Sequence, residues 1–390
     1  MKRQNIGKRG AILALILALF ALFGTPAQAV AAARPSLLVG GMPFGVRFFT
    51  DGVLVVGWCD VTSGGKNKNP AKEAGVGAGD CIIKINEETV GEASALAERI
   101  EQNGEKPLTL TVRRDGAERT VTLTPLPCDE DGRYRTGLWV RDTGAGIGTV
   151  TFVTTEDHRF GGLGHGICDG GGGYLVPIAR GSVTGVVLDG VTKGAAGAPG
   201  ELKGHFSADR TGALLQNTPL GVFGVLTEAP PSPVGVLPIG YRSELRVGAA
   251  TLYCTVDGGA PRAYAVEIAE IDRGAAGNKC FVVRVTDPAL LEKTGGIVQG
   301  MSGSPIVQNG RLVGAVTHVL IGDPTTGYGV FIENMLAAMQ KETAVAPQQP
   351  LYIYPCFHFG PSEFVYRIIL LTQFISPSDS FMTNSCQIPQ

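Results

Sequence analysis

The fold is decided by the stretch GMSGSPIVQNGRLVGAV, residues 300–316. Its Ser302 lies in a Gly-x-Ser-Gly turn, and a serine becomes a nucleophile when such a turn exposes its hydroxyl beside a base. The flanking glycines also let backbone N–H groups point at the oxyanion of a tetrahedral intermediate. Asn309-Gly310 is the signature of a two-residue hairpin turn. We therefore expect a nucleophilic serine ahead of a β-hairpin, which excludes an α/β-hydrolase, because that fold needs a helix after the nucleophile.

The chain around this stretch reads as short strands. Residues 137–340 alternate Val-, Leu- and Ile-rich runs with Gly, Pro and Asp, and the first helical pattern comes at 332–340. The whole chain holds 56 Gly and 24 Pro, which is typical of strands joined by tight turns. We predict a mainly β protein in which residues 137–342 form a chymotrypsin-like double β-barrel.

A histidine is expected to act as the base. His165 lies in GGLGHGICD, residues 161–169, where small neighbours would let substrate and nucleophile approach its ring. It precedes Ser302, and this order places base and nucleophile on different barrels. His318, which follows a strand, is the main rival and could equally be a core histidine with satisfied hydrogen bonds. We favour His165 as the base.

The sequence defines the carboxylate that would orient the base less sharply. Asp287 lies 15 residues before Ser302, and Asp169 lies four residues after His165. Spacing alone does not decide between them. Asp287 also precedes Pro288, so it fits the N-cap of a short helix equally well.

A smaller α/β unit, residues 37–126, precedes the barrels. The run NPAKEAGVGAGD, residues 69–80, resembles the core of PDZ domains from bacterial proteases. A strand next to a Gly-rich loop can bind a protein C-terminus by β-augmentation. The alternative is a PDZ fold that serves only as a rigid spacer. By the same resemblance, the carboxylate-binding loop is assigned to Gly41, Met42, Phe44, Gly45 and Val46.

The N-terminal segment predicts export. Residues 1–29 carry a basic start, an apolar run at 11–23 and the small-residue sequence Ala27-Gln28-Ala29, the order of a signal peptide. An uncleaved membrane anchor is the alternative, and in both cases the folded part lies outside the cytoplasm. Residues 30–36 read as a linker and residues 343–390 as an atypical C-terminal extension.

Composition and motifs argue against several classes of function. The net charge of −2, without a basic stripe, argues against nucleic acid as a partner. The eight cysteines show no metal-ligand spacing and are interpreted mainly as small buried hydrophobes. The Gly-rich segment 193–204 lacks the spacing of a phosphate-binding loop and reads as a surface loop bordering the cleft. We therefore expect no metal and no other cofactor.

Taken together, the motifs resemble the stage IV sporulation protein B peptidases of endospore-forming bacteria. The resemblance covers about residues 37–340 and is carried, besides the signal segment and the PDZ unit, by GHGICD (164–169), the loop 194–204, VQGMSGSPI (298–306), GAVTHV (314–319) and DPTTGYGV (323–330). It implies a serine endopeptidase with catalytic His165, Asp287 and Ser302, and so selects Asp287 over Asp169. By analogy with chymotrypsin-like enzymes, the N–H groups of Gly300 and Ser302 would form the oxyanion hole.

The resemblance also implies where the enzyme acts. It would be secreted into the space between the forespore and mother-cell membranes. There it would cleave a membrane-bound regulator, and itself, so that a late sigma factor is processed. Three other interpretations stay open: a general envelope quality-control protease, a non-catalytic PDZ protein that binds peptides, and a structural component of the spore envelope.

Overall fold

A computed structural model describes residues 34–114, 116–169 and 173–341. The predicted signal segment, most of the linker and the C-terminal extension lie outside the described residues. Within these ranges the helices are Pro70–Glu73, Ala93–Asn103, Pro288–Thr294 and Ile332–Lys341, and none of them is long and apolar enough to cross a membrane. The strands are β1 Ser36–Val39, β2 Pro43–Trp58, β3 Val61–Ser63, β4 Lys66–Lys68, β5 Cys81–Ile85, β6 Glu88–Thr89, β7 Leu108–Arg114, β8 Ala117–Leu123, β9 Leu126–Pro127, β10 Tyr134–Arg135, β11 Leu138–Val153, β12 Arg159–Gly162, β13 Ile178–Thr192, β14 Glu201–Thr218, β15 Gly221–Leu226, β16 Val236–Pro238, β17 Gly248–Cys254, β18 Arg262–Ile271, β19 Phe281–Val285, β20 Pro305–Gln308, β21 Arg311–Leu320 and β22 Asp323–Phe331.

The later strands close into a barrel in the order β17, β18, β19, β22, β21 and β20. Alternation along β19 buries Phe281, Val283 and Val285 in its core. Asn309 and Gly310, both with positive φ, make the predicted hairpin turn between β20 and β21. The hairpin behind Ser302 is therefore confirmed.

A second closed ring is formed earlier in the chain. β2 pairs with β11, β11 with β12, β12 with β15, β15 with β14, β14 with β13, and β13 again with β2, always antiparallel. Its core includes Phe44 and Phe160, whose ring centroids lie 5.4 Å apart in an edge-on contact. Two packed antiparallel barrels confirm the predicted mainly β, double-barrel fold.

The small α/β unit is inserted into the first barrel rather than placed ahead of it. The second half of β2 extends out of the barrel and pairs with β5 at Val53 and Leu54. After the inserted unit, the chain re-enters the barrel along β11, which pairs with β2 from Leu138 onward. The helix Ala93–Asn103 covers this sheet with Leu96 and Ile100, which share a core with β5 and β7. β2 and β11 thus each belong to both the barrel and the PDZ-like unit, so residues 37–50 of the predicted PDZ domain are barrel residues.

The predicted carboxylate-binding loop is wrong for the same reason. Gly45 and Val46 pair with β11 on one edge and with β13 on the other, which leaves no open edge for a peptide. Phe44 is buried in the barrel core, and Gly41 and Met42 are tied to β11 by backbone hydrogen bonds with Val150. A Gly-flanked apolar segment is common to PDZ loops and barrel strands, so the pattern could not distinguish them.

The shared strands should make the two parts of the fold interdependent. A fragment of residues 137–342 lacks β2, the strand that joins β11 to β13. We expect this fragment to show no cooperative thermal transition, because β11 and β13 each lose the backbone partner on one edge and the core around Phe160 opens. A fragment of residues 34–342 should unfold cooperatively. Circular dichroism melting compares the two, and a sharp transition in the shorter fragment would contradict closure of the barrel by β2.

Candidate active site

Ser302 lies in a tight turn between two glycines with positive φ. Gly300 and Gly303 both have φ of +94°, a region that residues with side chains rarely adopt. The N–H of Gly303 donates to Val316 O at 2.8 Å, and a Cβ at Gly303 would overlap the carbonyl oxygen of Thr149. The turn is therefore pressed between β21 of the second barrel and β11 of the first.

Two threonines of β11 hold the turn from the first barrel. Thr149 N donates to Ser302 O at 2.9 Å, and Thr149 Oγ1 donates to Gly300 O at 2.8 Å. Thr151 Oγ1 donates to Gly303 O at 2.7 Å. Both side chains are buried, so these bonds are shielded from water. Neither residue was predicted to belong to the site, and their only signal in the sequence is the alternation TVTFV at 149–153, which places them on one side of β11.

The N–H groups of Gly300 and Ser302 are the predicted oxyanion donors. Among the described residues neither donates a hydrogen bond, whereas the N–H groups of Met301, Gly303 and Ser304 all do. A backbone donor without an acceptor in a packed turn is unfavourable unless a ligand supplies one. The two donors are available to an oxyanion, and their catalytic role stays a prediction.

His165 is buried in the loop that follows β12, with 3% of its surface exposed. Its Nδ1 lies 2.9 Å from Gly166 O, which assigns the ring proton to Nδ1 and leaves Nε2 as the acceptor. Nε2 has no hydrogen-bond partner within the described part of the chain. Burial lowers the pKa of His165 below its ordinary value of 6.5, so the ring is neutral at pH 7. A neutral imidazole with a free Nε2 is the form that a general base requires.

The predicted base and nucleophile come from opposite barrels, and each contacts β21. Ser302 Oγ donates to Thr317 O at 2.7 Å, and the ring of His318 lies against the ring of His165. The described structure has no direct hydrogen bond between Ser302 and His165. Proton transfer therefore requires the Ser302 hydroxyl to turn from Thr317 O toward Nε2, and catalytic hydrogen bonds often form only when substrate binds.

Asp287 is not brought to His165. Its Oδ1 accepts from the N–H groups of Ala289 and Leu290, and its Oδ2 accepts from Ala265 N. These contacts make it the N-cap of the helix Pro288–Thr294, the alternative that the sequence left open. With both oxygens occupied by backbone donors, Asp287 does not orient His165 in this structure.

Asp169 does not take that place either. It is 5% exposed, its Oδ1 accepts from Tyr174 N at 2.9 Å, and its other oxygen has no hydrogen-bond partner among the described residues. The segment that follows His165 is held instead by Asn217, whose side chain accepts from Ile167 N and donates to Ile167 O and Val176 O. Nothing in the sequence marked Asn217 for this role.

The Gly-rich loop 193–204 reaches the nucleophile turn from the first barrel. Gln299 N donates to Gly200 O at 2.8 Å, and Leu202 N donates back to Gln299 O at 2.9 Å. A Cβ at Gly300 would lie 3.1 Å from Leu202, so the Leu202 side chain packs under the turn. The loop thus contacts the residues just before Ser302.

The fold consists of two β-barrels with an inserted PDZ unit. At the junction of the barrels lie the Gly-x-Ser-Gly turn and a neutral histidine. This combination defines a PDZ-containing serine peptidase of chymotrypsin-like fold. Family profiles agree: a PDZ domain profile matches residues 63–114, and the SpoIVB peptidase S55 profile matches residues 132–336. The chain belongs to the SpoIVB peptidase S55 family.

Individual relatives are more distant. A probable protease, eep, from Enterococcus faecalis is 38% identical over 56 residues, a stretch that spans 14% of this chain and only 13% of that relative. The protease Rv3671c of M. tuberculosis H37Rv, solved in an inactive form, is 16% identical, with a TM-score of 0.30 over 52% of this chain and 85% of its own. The PDZ domain of an SdrC-like protein from Listeria monocytogenes is 18% identical, with a TM-score of 0.19 over 23% of this chain and 87% of its own.

The contacts of Asp287 predict a structural role for this residue. Asn caps helices as well as Asp does, so Asp287→Asn should keep kcat within about fivefold of the wild type, whereas loss of an orienting acid costs about 10⁴-fold. Asp287→Ala should lower the free energy of unfolding by about 1–2 kcal/mol through loss of the cap. Peptidase kinetics and thermal melts of both variants measure these effects.

The pH profile supplies a second criterion. A carboxylate paired with His165 would raise the pKa of the imidazole, whereas burial lowers it. Since the base must be neutral, the acidic limb of kcat/KM should lie below pH 6.5 in the wild type and stay there in Asp287→Asn. A limb above pH 6.5 that moves down in this variant would restore Asp287 as the orienting acid.

Proposed function

We propose that this protein is an exported serine endopeptidase of sporulation signalling, which cleaves a membrane-associated regulator and itself so that a late sigma factor is processed. The observation that supports the catalytic part is that Ser302, in its glycine turn, bonds to Thr317 O, while the neutral His165, whose Nε2 has no hydrogen-bond partner among the described residues, packs against the adjacent His318. Ser302 would attack a peptide carbonyl while His165 takes its proton, and the N–H groups of Gly300 and Ser302 would receive the oxyanion.

Membership of the SpoIVB peptidase S55 family supports the signalling part of this proposal. The signal-like segment 1–29 supports export to the space between forespore and mother-cell membranes, with either release or retention at the membrane. A PDZ unit built into the peptidase fits a substrate that is a protein chain.

The test compares Ser302→Ala with Ser304→Ala in sporulating cells. Ser304 lies in the same turn, is fully buried and has no partner for its hydroxyl, so its loss should leave the turn intact. Ser302→Ala should abolish self-processing, labelling by an active-site phosphonate and sigma-factor processing, since removal of a serine nucleophile lowers kcat by about 10⁶-fold. Ser304→Ala should retain all three.

The three readouts separate the alternatives. Lost labelling with intact sigma-factor processing would identify a general envelope protease instead of a signalling one. Labelling and self-processing that persist in Ser302→Ala would refute Ser302 as the nucleophile, and a folded wild type that takes no label would refute the hydrolase assignment.

We also propose that the PDZ unit binds a peptide on the open edge of β11 at residues 138–142. In the described structure these residues pair with β2 on one side only, while the helix Ala93–Asn103 flanks the other side. Asp142 Oδ2 accepts from Ala93 N, and Glu101 Oε2 accepts from Tyr134 N, so both ends of this groove are anchored. An extended peptide could add to such an edge by β-augmentation.

Ala97 lies on the helix face between these two anchors, four residues from each. Ala97→Trp should fill the groove and lower peptide affinity at least tenfold, because the peptide would lose its space beside the helix. Glu98→Trp, on the exposed side of the same helix, is the matched control and should bind normally. Fluorescence binding of a library of decapeptides with free C-termini measures the effect, and equal binding by both variants would exclude this groove.

A further inference from the structure

The rings of His165 and His318 are in tilted contact across the junction of the barrels. Their centroids lie 4.8 Å apart, and their planes are inclined by 35°. His165 comes from the loop after β12 of the first barrel, and His318 from β21 of the second. The peptidase activity proposed above uses His165 and leaves His318 without a role.

The imidazole of His165 has little other support. Among the described residues its one hydrogen bond is to the carbonyl of the adjacent residue, Gly166, and its Nε2 has none. Both oxygens of Asp287 and Oδ1 of Asp169 accept from backbone N–H groups, and neither carboxylate hydrogen-bonds to His165 in the described structure. A ring held by one local bond needs a packing partner to keep its Nε2 in one orientation.

His318 is well placed to be that partner. The residue before it, Thr317, is fully buried, and its hydroxyl donates to Asn278 O and Tyr328 O. The carbonyl of Thr317 also accepts the hydroxyl of Ser302, so the segment that carries His318 contacts nucleophile and base together. A Cβ at Gly164 would lie 2.9 Å from Thr317 Cγ2, which shows how closely the His165 loop packs here.

The charge state of His318 suits such contact. Burial, and then the neighbouring His165 and Lys279, lower the pKa of His318 to about 4. Above that pH the ring is neutral, so it does not repel the imidazolium that His165 becomes when it takes the proton of Ser302. A neutral aromatic face beside that cation is favourable.

We propose that His318 is a positioning residue for His165: its ring, packed at a tilt against the imidazole, holds the base and supports its charged form, the task of the carboxylate in a catalytic triad. The proposal rests on Ser302–His165 hydrolysis. In this role the face of the His318 ring supports His165, and its nitrogens take no part in proton transfer; Nδ1 of His318 is buried and has no hydrogen-bond partner among the described residues.

Three substitutions of His318 separate a role of the ring face from simple packing. His318→Phe keeps an aromatic face, His318→Leu fills the volume without one, and His318→Ala does neither. We expect Phe to keep kcat within about fivefold of the wild type, and Leu and Ala to lower it by about 10- to 100-fold with KM within about twofold. Initial rates on a protein substrate, phosphonate labelling rates and thermal melts are measured for each full-length variant, with Ser302→Ala as the inactive reference.

The outcomes are distinct. A Leu variant as active as the Phe variant would reduce His318 to a packing residue, and a Phe variant as impaired as Ala would assign the role to the ring nitrogens; each overturns the proposal. Wild-type kinetics in all three variants would overturn it too. If Ser302→Ala itself keeps the wild-type rate, the hydrolase assignment fails, a result that cannot be confused with the others.

Discussion

The rest of this structure depends on the hydrogen bonds by which β11 fixes the turn of residues 300–303, which carries Ser302. Three buried hydrogen bonds from Thr149 and Thr151 fix the carbonyls of Gly300, Ser302 and Gly303. Because these carbonyls face β11, the turn is defined by a strand of the other barrel as well as by its own glycines. The geometry of the nucleophile is therefore a property of the barrel–barrel junction, and neither barrel would produce it alone.

His165, the predicted base, is kept neutral by burial and is not paired with a charged group among the described residues. A carboxylate beside His165 would stabilise its imidazolium form and raise its pKa, whereas the observed environment lowers it. At neutral pH the imidazole of His165 is therefore uncharged, with its proton on Nδ1 and Nε2 able to accept a proton. The site has no fixed negative charge near the ring, among the described contacts, to stabilise the imidazolium that forms when the proton of Ser302 is transferred. This imbalance is the physical reason to look for other support around the ring, and His318 is the group in contact with it.

Much of the fold could be predicted because it depends on local patterns. The turn at Asn309-Gly310, the Gly-flanked Ser302 and the double barrel follow from residue types whose conformational preferences are strong. Asp287 as a helix cap was also readable, since Asp-Pro at a helix start has a local cause. Contacts between segments that are distant in the sequence could not be predicted. The strand around Val46 is paired on both edges, and Asn217 hydrogen-bonds to the segment after His165. Neither leaves a trace in neighbouring sequence.

Where the PDZ unit is inserted into the barrel, β2 has extra residues and β11 does not. Arg141 of β11 pairs with Leu54 of β2, and Thr143 pairs with Phe49. Between these two pairs β11 has one residue and β2 has four, so β2 carries three extra residues. The excess bulges at residues 50–53, where Gly52 has φ of +109° and β2 turns from the barrel to the PDZ sheet. Opposite these residues β11 has a single residue, Asp142. Its carboxylate accepts a hydrogen bond from Ala93 N, at the start of the helix Ala93–Asn103.

β11 is thus the direct connection between the two parts of the protein. Residues 138–142 form the open edge beside the helix, and Thr149 on the same strand bonds the turn of Ser302. At a rise of about 3.3 Å per residue, Val140 and Thr149 are separated by roughly 30 Å of extended chain. A displacement of this strand along its axis cannot be confined to the PDZ unit, because it would either move the carbonyls of Gly300 and Ser302 with it or break their buried hydrogen bonds. Placing the PDZ unit between two strands of the barrel, instead of after the peptidase, is what creates this dependence.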